Sequence, residues 1–302
     1  MTTAPASASI TRPLDAIAAA IVVMLCLSWG FNQVSVKLAI HDVPPLMQAA
    51  IRSFAATLIV AGYAKARGLP LLARDGTLLA GLVTGFAFGI EFILIYQGLA
   101  YTTATRAVLF LYLAPFLVAI GARIFLPADR FGPAQWLGLA LSFGGMLIAF
   151  GLPTPALNPR QMVGDLMTVG GALFWATTTL IIKASRLNRV SAEKVMLYQL
   201  VVSAPMMAIA AAIAGERITH MPSLLALGAM AYQTVWVVSI TFVIWFALVV
   251  RYSASRLSAF TFLTPLFGVA AGHLMLNEPL TPAFLGAVAL VAAGLVLVNR
   301  TP

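Results

Sequence analysis

The chain has 302 residues, of which 61% are hydrophobic and 9% are charged, and its mean hydropathy is +0.98. Soluble domains carry about 25% charged residues, so this composition excludes a water-soluble globular protein. The net charge of +9 is explained by Lys and Arg in the cytoplasmic loops of a membrane protein, so it does not indicate a nucleic-acid-binding surface. The single cysteine, Cys26, lies inside the first apolar run, which excludes a disulfide and a thiolate metal site.

Ten mainly apolar segments are long enough to cross a bilayer, which takes about 20 residues per helix. These runs are too long and too uniform for the alternating strands of a membrane barrel. The sequence therefore predicts an all-α integral membrane protein with ten transmembrane helices, near residues 14–38, 45–64, 76–99, 103–126, 133–151, 163–185, 192–214, 223–250, 254–276 and 281–299.

The positions of Lys and Arg predict how these helices are oriented. With the N-terminus inside, 13 of the 18 basic residues fall on the inner face (18 − 5 = 13), the other five being Lys37, Arg52, Arg106, Arg160 and Arg217. Basic residues concentrate in cytoplasmic loops. We therefore expect a multi-pass protein of the cytoplasmic (inner) cell membrane with both termini in the cytoplasm.

The two halves of the chain repeat each other. A Leu, a Trp and a Lys recur at a constant offset of 146, as Leu27, Trp29, Lys37 and then Leu173, Trp175, Lys183. A second echo runs from a Tyr to a Pro, as Tyr101 to Pro115 and then Tyr252 to Pro265, at offsets of 151 and 150. The sequence thus predicts a tail (1–13), a five-helix copy (14–151), a connecting loop (152–162) and a second five-helix copy (163–299). Since five is odd, the copies face opposite ways, as in the inverted repeats of many secondary transporters around a central cavity.

These paired features resemble the EamA-type family of the drug/metabolite transporter superfamily, and within it the YddG-type exporters of amino acids, including aromatic ones. The resemblance covers nearly all of residues 14–299. It implies ten helices around a central cavity and export of small metabolites. The family often carries a Glu shortly before the last helix of each copy. The second copy has Glu278-Pro279, whereas the first reads Pro127-Ala128-Asp129-Arg130, so we expect the two halves to differ there.

Two matched prolines, Pro115 and Pro265, fall near the middle of the fourth and ninth predicted helices. A proline inside a helix removes a hydrogen bond, and matched interruptions in both halves indicate a midplane site or hinge. The alternative is a packing kink without a functional role.

On the third helix, Gly81, Gly85 and Gly89 have the spacing that lets another helix approach closely.

Polar and aromatic side chains share the faces of corresponding helices in the two copies. Such faces suit a cavity for a zwitterion with a variable side chain, although interhelical hydrogen bonds would explain any one of them. Aromatic residues can also belong to the membrane-interface belt. The candidate substrate-binding residues on these faces are Asn32, Gln33, Tyr96, Tyr101, Tyr112, Trp175, Thr178, Gln233 and Trp236.

Glu91 is the only acidic residue deep inside a predicted helix. An intramembrane acid costs about 2.5–3.5 kcal/mol on insertion scales, so it has a partner or a function. It could bind the ammonium group of an amino acid, carry a coupled proton, or pair structurally with Arg52, Arg106 or Lys37.

No enzyme motif, metal cluster or phosphate-binding loop is recognisable, so we expect no catalytic residues and no cofactor. The prediction is an exporter of amino acids and related small metabolites that works by alternating access, either facilitative or proton-coupled. Its partners are the small-molecule substrate and membrane lipid, without nucleic acid, and the chain is expected to be a monomer or a weak homodimer. The alternatives are efflux of cationic drugs and, in another class, an intramembrane enzyme, which one lone Glu91 makes a poor fit.

Overall fold

A computed structural model describes residues 14–152, 158–276 and 282–300, and ten helices in these ranges are long and apolar enough to cross a membrane. The predicted all-α class and the ten spans are confirmed, and no strand occurs in the described ranges. We name the helices α1 to α10: Ala16–Ala39, Pro45–Ala66, Leu78–Leu99, Ala104–Phe125, Pro133–Phe150, Pro159–Ala184, Ala192–Ile213, Leu224–Arg251, Ala254–Met275 and Pro282–Asn299.

Short polar side chains and prolines set where the helices begin. Asp15 accepts a hydrogen bond from the Ala18 N–H at 2.8 Å and caps α1. Ser223 and Ser253 cap α8 and α9 in the same way. Such caps satisfy backbone donors that have no partner inside the helix. Their presence at the ends of uniformly apolar segments explains why the predicted and observed boundaries agree to within a few residues.

Helices α4 and α9 are each interrupted near their middle. The first halves end at Leu111 and Phe260, and new helical segments start at Ala114 and Leu263. Pro115 therefore lies in the first turn of a second segment, where its missing N–H leaves no hydrogen bond broken. Pro265 lies at the third residue of its segment. The interruptions occur in corresponding helices; the hinge role of the prolines stays a prediction.

Each pair of packed helices has a counterpart that is formed by the corresponding helices of the other copy. Helix α3 packs on α6 as α8 packs on α1, and α4 packs on α6 as α9 packs on α1. The α2–α7 and α5–α10 pairs map onto themselves. A pseudo-twofold relation between the copies would produce this pattern, so the packing supports the predicted repeat, whose inverted sense stays a prediction.

Close helix contacts occur where glycines remove side-chain bulk. Gly81, Gly85 and Gly89 on α3 face α7, where a Cβ on Gly85 would come within 2.5 Å of the Tyr198 carbonyl oxygen. Gly138 on α5 and Gly294 on α10 approach each other likewise. Small residues at such crossings let membrane helices associate through backbone packing. These contacts hold α3 against α7 and α5 against α10.

Candidate functional site: a central cavity between the two halves

A cavity of about 500 Å³ lies among α1, α2, α3, α4, α6, α8 and α9. Its volume falls in the range of about 300–1,000 Å³ that is typical of small-molecule sites. The lining extends to Ile40 beyond α1 and to Leu99 at the end of α3, which are 40% and 41% exposed. The cavity therefore opens on the side of the membrane where α1 and α3 end, which the predicted orientation makes the outer side.

One wall of the cavity is a continuous series of aromatic rings. Each ring contacts the next with centroids between 4.8 and 6.2 Å apart, in the order Tyr96, Phe92, Phe88, Phe242, Trp29 and Trp245. The Trp29 Nε1–H donates to Thr241 Oγ1 at 2.9 Å, which satisfies the indole N–H and fixes the ring. Rings held in this way offer a large, rigid apolar surface to a ligand.

Arg52 on α2 lines the same cavity although it is only 3% exposed. Its guanidinium carbon lies 5.1 Å from the centre of the Phe92 ring, within the range of a cation–π contact. Its Nε has no hydrogen-bond partner within the described part of the chain. A buried guanidinium that is stacked but incompletely hydrogen-bonded is unusual, because buried polar groups are normally paired.

Glu91 on α3 also lines the cavity and is 7% exposed. Among residues 14–152, 158–276 and 282–300 it forms no ion pair, with Arg52 or any other residue. Arg106, one of the partners considered for it, instead binds Asp165, with its Nε 3.0 Å from Asp165 Oδ1. The cavity thus holds a carboxylate and a guanidinium that are not paired with each other.

Seven of the ten predicted binding residues line the cavity. Glu91 and Tyr96 do so from α3, and Tyr112, at the interruption of α4, lies with its ring 6.1 Å from that of Trp175 on α6. The remaining three are Asn32, Gln33 and Thr178. The Asn32 Oδ1 and Thr178 Oγ1 atoms are buried without a hydrogen-bond partner in the described ranges. Their placement fits the predicted binding role, which stays a prediction.

The other three predicted binding residues lie outside the cavity lining. Gln233 is fully buried and its Nε2 donates to Gln48 Oε1 at 2.9 Å. Trp236 donates to Ser28 Oγ at 2.9 Å and is 38% exposed. Tyr101 is stacked beneath the Arg160 guanidinium, 5.0 Å from its ring centre. These three side chains join helices or face outward, as the interhelical alternative for such residues supposes.

A π-helical stretch explains why two of these residues face away from the cavity. Residues Tyr232–Thr241 in the middle of α8 form π-helical turns. The i→i+5 bonding of such turns changes which side chains share a face, so the residue spacing of a regular α-helix no longer predicts the cavity-facing residues. The α8 residues that reach the cavity, Val237, Phe242, Trp245 and Phe246, were not among the predicted ones.

The end of the molecule opposite the cavity mouth is closed by polar contacts, some within the second half and some between the two halves. Lys183 on α6 is 4% exposed and donates to three carbonyl oxygens at the end of α8, Val249, Val250 and Tyr252, at 2.9, 2.9 and 2.7 Å. The Tyr252 hydroxyl in turn donates to Asp15 at 2.7 Å. Together with its backbone bond from Ala18, this contact lowers the pKa of the Asp15 carboxyl. These bonds hold the C-terminal end of α8 against α1 and α6.

Asp129 contributes to the same closure from the loop between α4 and α5. Its carboxylate accepts from the N–H groups of Ala254 and Ser255 at 2.7 and 3.3 Å, and from the Ser253 hydroxyl, at the start of α9. An acidic group there stabilises the N-terminus of a helix. Asp129 precedes Pro133 by four residues, as Glu278 precedes Pro282 (133 − 129 = 282 − 278 = 4). Each copy therefore carries an acid four residues before the proline that opens its last helix, an Asp in the first copy and a Glu in the second; Glu278 lies outside the described residues.

A membrane-embedded bundle of ten helices with a central polar and aromatic cavity, open at one end and closed at the other, has the form of a small-molecule transporter. Comparison with known families defines it further. The model of the EamA-like transporter family matches the chain twice, at residues 16–151 and 162–300, and the chain belongs to this family. It is accordingly a multi-pass membrane transporter with small-molecule substrates, and not an enzyme.

Individual relatives cover nearly the whole chain. It is 29% identical over 292 residues to a protein of Escherichia coli (strain K12) named "Probable amino-acid metabolite efflux pump", covering 93% of each chain. It is 23% identical to "Uncharacterized inner membrane transporter YedA" of the same strain, covering 91% of this chain and 88% of that protein. A solved structure described only as "Crystal structure of protein" superposes with a TM-score of 0.80 at 21% identity, covering 93% and 97% of the two chains. This last likeness concerns the fold alone.

Proposed function

We propose that the chain exports amino acids, including neutral and aromatic ones, and related small metabolites across the cytoplasmic membrane. The cavity supplies the observation that carries this proposal. It combines one buried carboxylate, one buried guanidinium and a wall of six aromatic rings in about 500 Å³. An amino acid presents the complementary groups: an ammonium, a carboxylate and a variable side chain. The name of the Escherichia coli relative supports the same substrate class.

Alternating access between the two halves would move the substrate. The halves meet around the cavity, and the contacts of Lys183 and Asp129 close only one end of it. Opening that end while closing the mouth between α1 and α3 would carry the site from one side of the membrane to the other. The interruptions of α4 and α9 at Pro115 and Pro265 lie where the two halves would flex.

The rival function, efflux of cationic drugs, is disfavoured by the charge of the cavity. Arg52 and Lys37 both line it, against the single acid Glu91. A cation entering the cavity would meet a guanidinium that no carboxylate of the described chain neutralises, and like charges at close range in a low dielectric repel. A zwitterion avoids this cost because its carboxylate meets the guanidinium.

Uptake of radiolabelled phenylalanine into liposomes that contain the purified protein tests the proposal. We expect saturable uptake that excess unlabelled phenylalanine blocks and a lipophilic cation does not. Applying a pH gradient distinguishes a facilitator from a proton-coupled carrier: uptake that the gradient drives, and that Glu91→Gln uncouples, makes Glu91 the proton site. Folded protein that takes up no amino acid, or whose uptake cations block equally, would refute the amino-acid function.

A further inference from the structure

We propose that Arg52 and Glu91 form a divided binding pair for a zwitterion, in which Arg52 takes the substrate carboxylate and Glu91 its ammonium group. The inference rests on the proposed function and deepens it, because it assigns each end of the substrate to one side chain. It also gives Arg52 a role as a specificity residue rather than as the structural partner of Glu91.

The first observation is that two buried opposite charges share one cavity without meeting. Arg52 and Glu91 are 3% and 7% exposed, and they form no ion pair with each other. Burying an uncompensated charge in a protein costs several kcal/mol. A fold that needed only a structural pair would bring the two groups into contact, as it does for Arg106 and Asp165 at 3.0 Å. A ligand with both charges compensates each group separately.

The second observation is the geometry of Arg52. Its guanidinium is stacked 5.1 Å from the centre of the Phe92 ring, which fixes the plane of the fork. Its Nε is buried and has no hydrogen-bond partner in the part of the chain that the structure describes. A planar fork with open donors matches a carboxylate, which can accept two parallel hydrogen bonds from it. Lys37, the other cation of the lining, is exposed and lies at the mouth, and its ammonium has no such fork.

The third observation is that other unsatisfied polar atoms lie in the same lining. Asn32 Oδ1 and Thr178 Oγ1 are buried acceptors without a partner in the described ranges, and both residues face the cavity. Buried polar atoms are normally hydrogen-bonded, and a ligand in the cavity would supply the partners that these two atoms lack. Both atoms can accept from an ammonium group alongside Glu91.

The adjacent aromatic wall provides the binding surface for the side chain of the substrate. Phe92 follows Glu91 directly in sequence and also carries the Arg52 guanidinium, and its ring leads to Phe88 and Phe242 at 4.8 and 6.2 Å along the series. A substrate held by its two charges between α2 and α3 would therefore lay its side chain along these rings. This arrangement favours large apolar and aromatic side chains and accepts small ones with less apolar contact.

The experiment compares three ligands that differ only in charge: phenylalanine, phenylalaninamide, which lacks the carboxylate, and 3-phenylpropionate, which lacks the ammonium. Binding is measured as the ligand-induced rise in melting temperature, since a ligand stabilises the folded state according to its affinity. Reaction of a fluorogenic maleimide with Cys26, which is buried in the folded state, reports unfolding. This readout needs no transport, so transport-inactive variants remain measurable.

In the wild-type protein we expect phenylalanine to bind at least about tenfold more tightly than either single-charge ligand, because each charge-assisted contact is stronger than a neutral one. Arg52→Gln should weaken phenylalanine by about tenfold or more while leaving phenylalaninamide unchanged or tighter. Glu91→Gln should weaken phenylalanine similarly and spare 3-phenylpropionate. Arg52→Lys, which keeps the charge and loses the fork, should fall between wild type and Arg52→Gln.

The outcomes separate the inference from the function on which it rests. Equal losses for all three ligands in Arg52→Gln, or unchanged phenylalanine affinity in either charge variant, would overturn the inference while leaving amino-acid transport intact. Folded wild-type protein that neither binds nor takes up phenylalanine or another amino acid would refute the proposed function, and the pair with it.

Discussion

Lys183 joins the C-terminal ends of α6 and α8 at the closed end of the molecule, and replacing it by Met should loosen that end. The side chain is 4% exposed, and its ammonium donates to the carbonyl oxygens of Val249, Val250 and Tyr252 at 2.9, 2.9 and 2.7 Å. Methionine keeps the length and the apolar stem but removes all three bonds and the charge at the end of α8.

The magnitude follows from what remains after the substitution. Three carbonyl groups at the end of a helix lose a cationic donor, and hydrogen bonds to charged groups contribute about 1.5–3 kcal/mol each. Against this, the variant no longer buries an ammonium, which itself costs several kcal/mol. We expect the free energy of unfolding to fall by about 2–4 kcal/mol. This lies between the contribution of one hydrogen bond to a charged group and the cost of breaking a buried ion pair.

The assay is thermal unfolding in detergent, followed through exposure of the buried Cys26. At about 2–4 °C per kcal/mol, the melting temperature of Lys183→Met should fall by roughly 4–16 °C. Lys65→Met, at an exposed lysine in the last turn of α2, is the matched control and should change it little. A Lys183→Met melting temperature indistinguishable from that of the control would refute this account of the closed end.

Further substitutions test other contacts by the same assay. Asp165→Ala should cost about 1.5–3 kcal/mol, because the Arg106 guanidinium loses its charge-assisted hydrogen bonds to that carboxylate; a loss below about 1 kcal/mol, typical of surface pairs, would contradict it. Gly294→Ala should destabilise by about 1–3 kcal/mol, since its Cβ would overlap α5, whereas Gly144→Ala meets nothing within 4 Å and should not. The pKa of the Asp75 carboxyl is lowered to about 2, first by a hydrogen bond from Lys194 at 2.7 Å, so Asp75→Asn should lower the melting temperature equally at pH 7 and pH 5. The stabilisation by ionised Asp75 is complete above its unfolded pKa of about 3.9 and is lost as the pH falls toward 2. If wild type and Asp75→Asn already melted at the same temperature at pH 5, the lowered pKa of Asp75 would be contradicted.

The ten helices and their order could be predicted because apolar length alone determines them in a bilayer. Shared helix faces indicated the polar residues of α1, and Glu91 on α3 was recognisable as the only acid deep inside a predicted helix. The α8 residues could not be predicted in the same way. The π-helical turns of Tyr232–Thr241 direct Gln233 toward α2 and Trp236 toward α1. The local sequence of an apolar run does not predict such turns.

The matched lysines show a second limit of the sequence. Lys37 and Lys183 occupy the same position in the two copies, yet one is exposed at the cavity mouth and the other is buried on the carbonyls of α8. A sequence repeat predicts equivalent positions, whereas the described structure is open at one end of the cavity and closed at the other, so equivalent positions have different surroundings. The repeat alone therefore could not predict which of the two lysines is buried.

Arg52 shows a third limit. Its position on α2 is plain from the sequence, but its stacking on Phe92 and its separation from Glu91 depend on how α2 and α3 meet around the cavity. Spacing along one helix carries no information on distances between side chains of different helices. The sequence alone therefore does not show whether Arg52 and Glu91 form an ion pair.

The most direct test of the central claim asks whether an amino acid occupies this cavity. In a Cys26→Ala background, Val108→Cys would place the only thiol in the cavity lining, and Leu72→Cys, at a loop residue that is 97% exposed, would place it far from the cavity. Phenylalanine should slow maleimide alkylation of the Val108→Cys protein in a saturable way and leave that of the Leu72→Cys protein unchanged. Alkylation of the folded Val108→Cys protein that no amino acid slows would contradict the account.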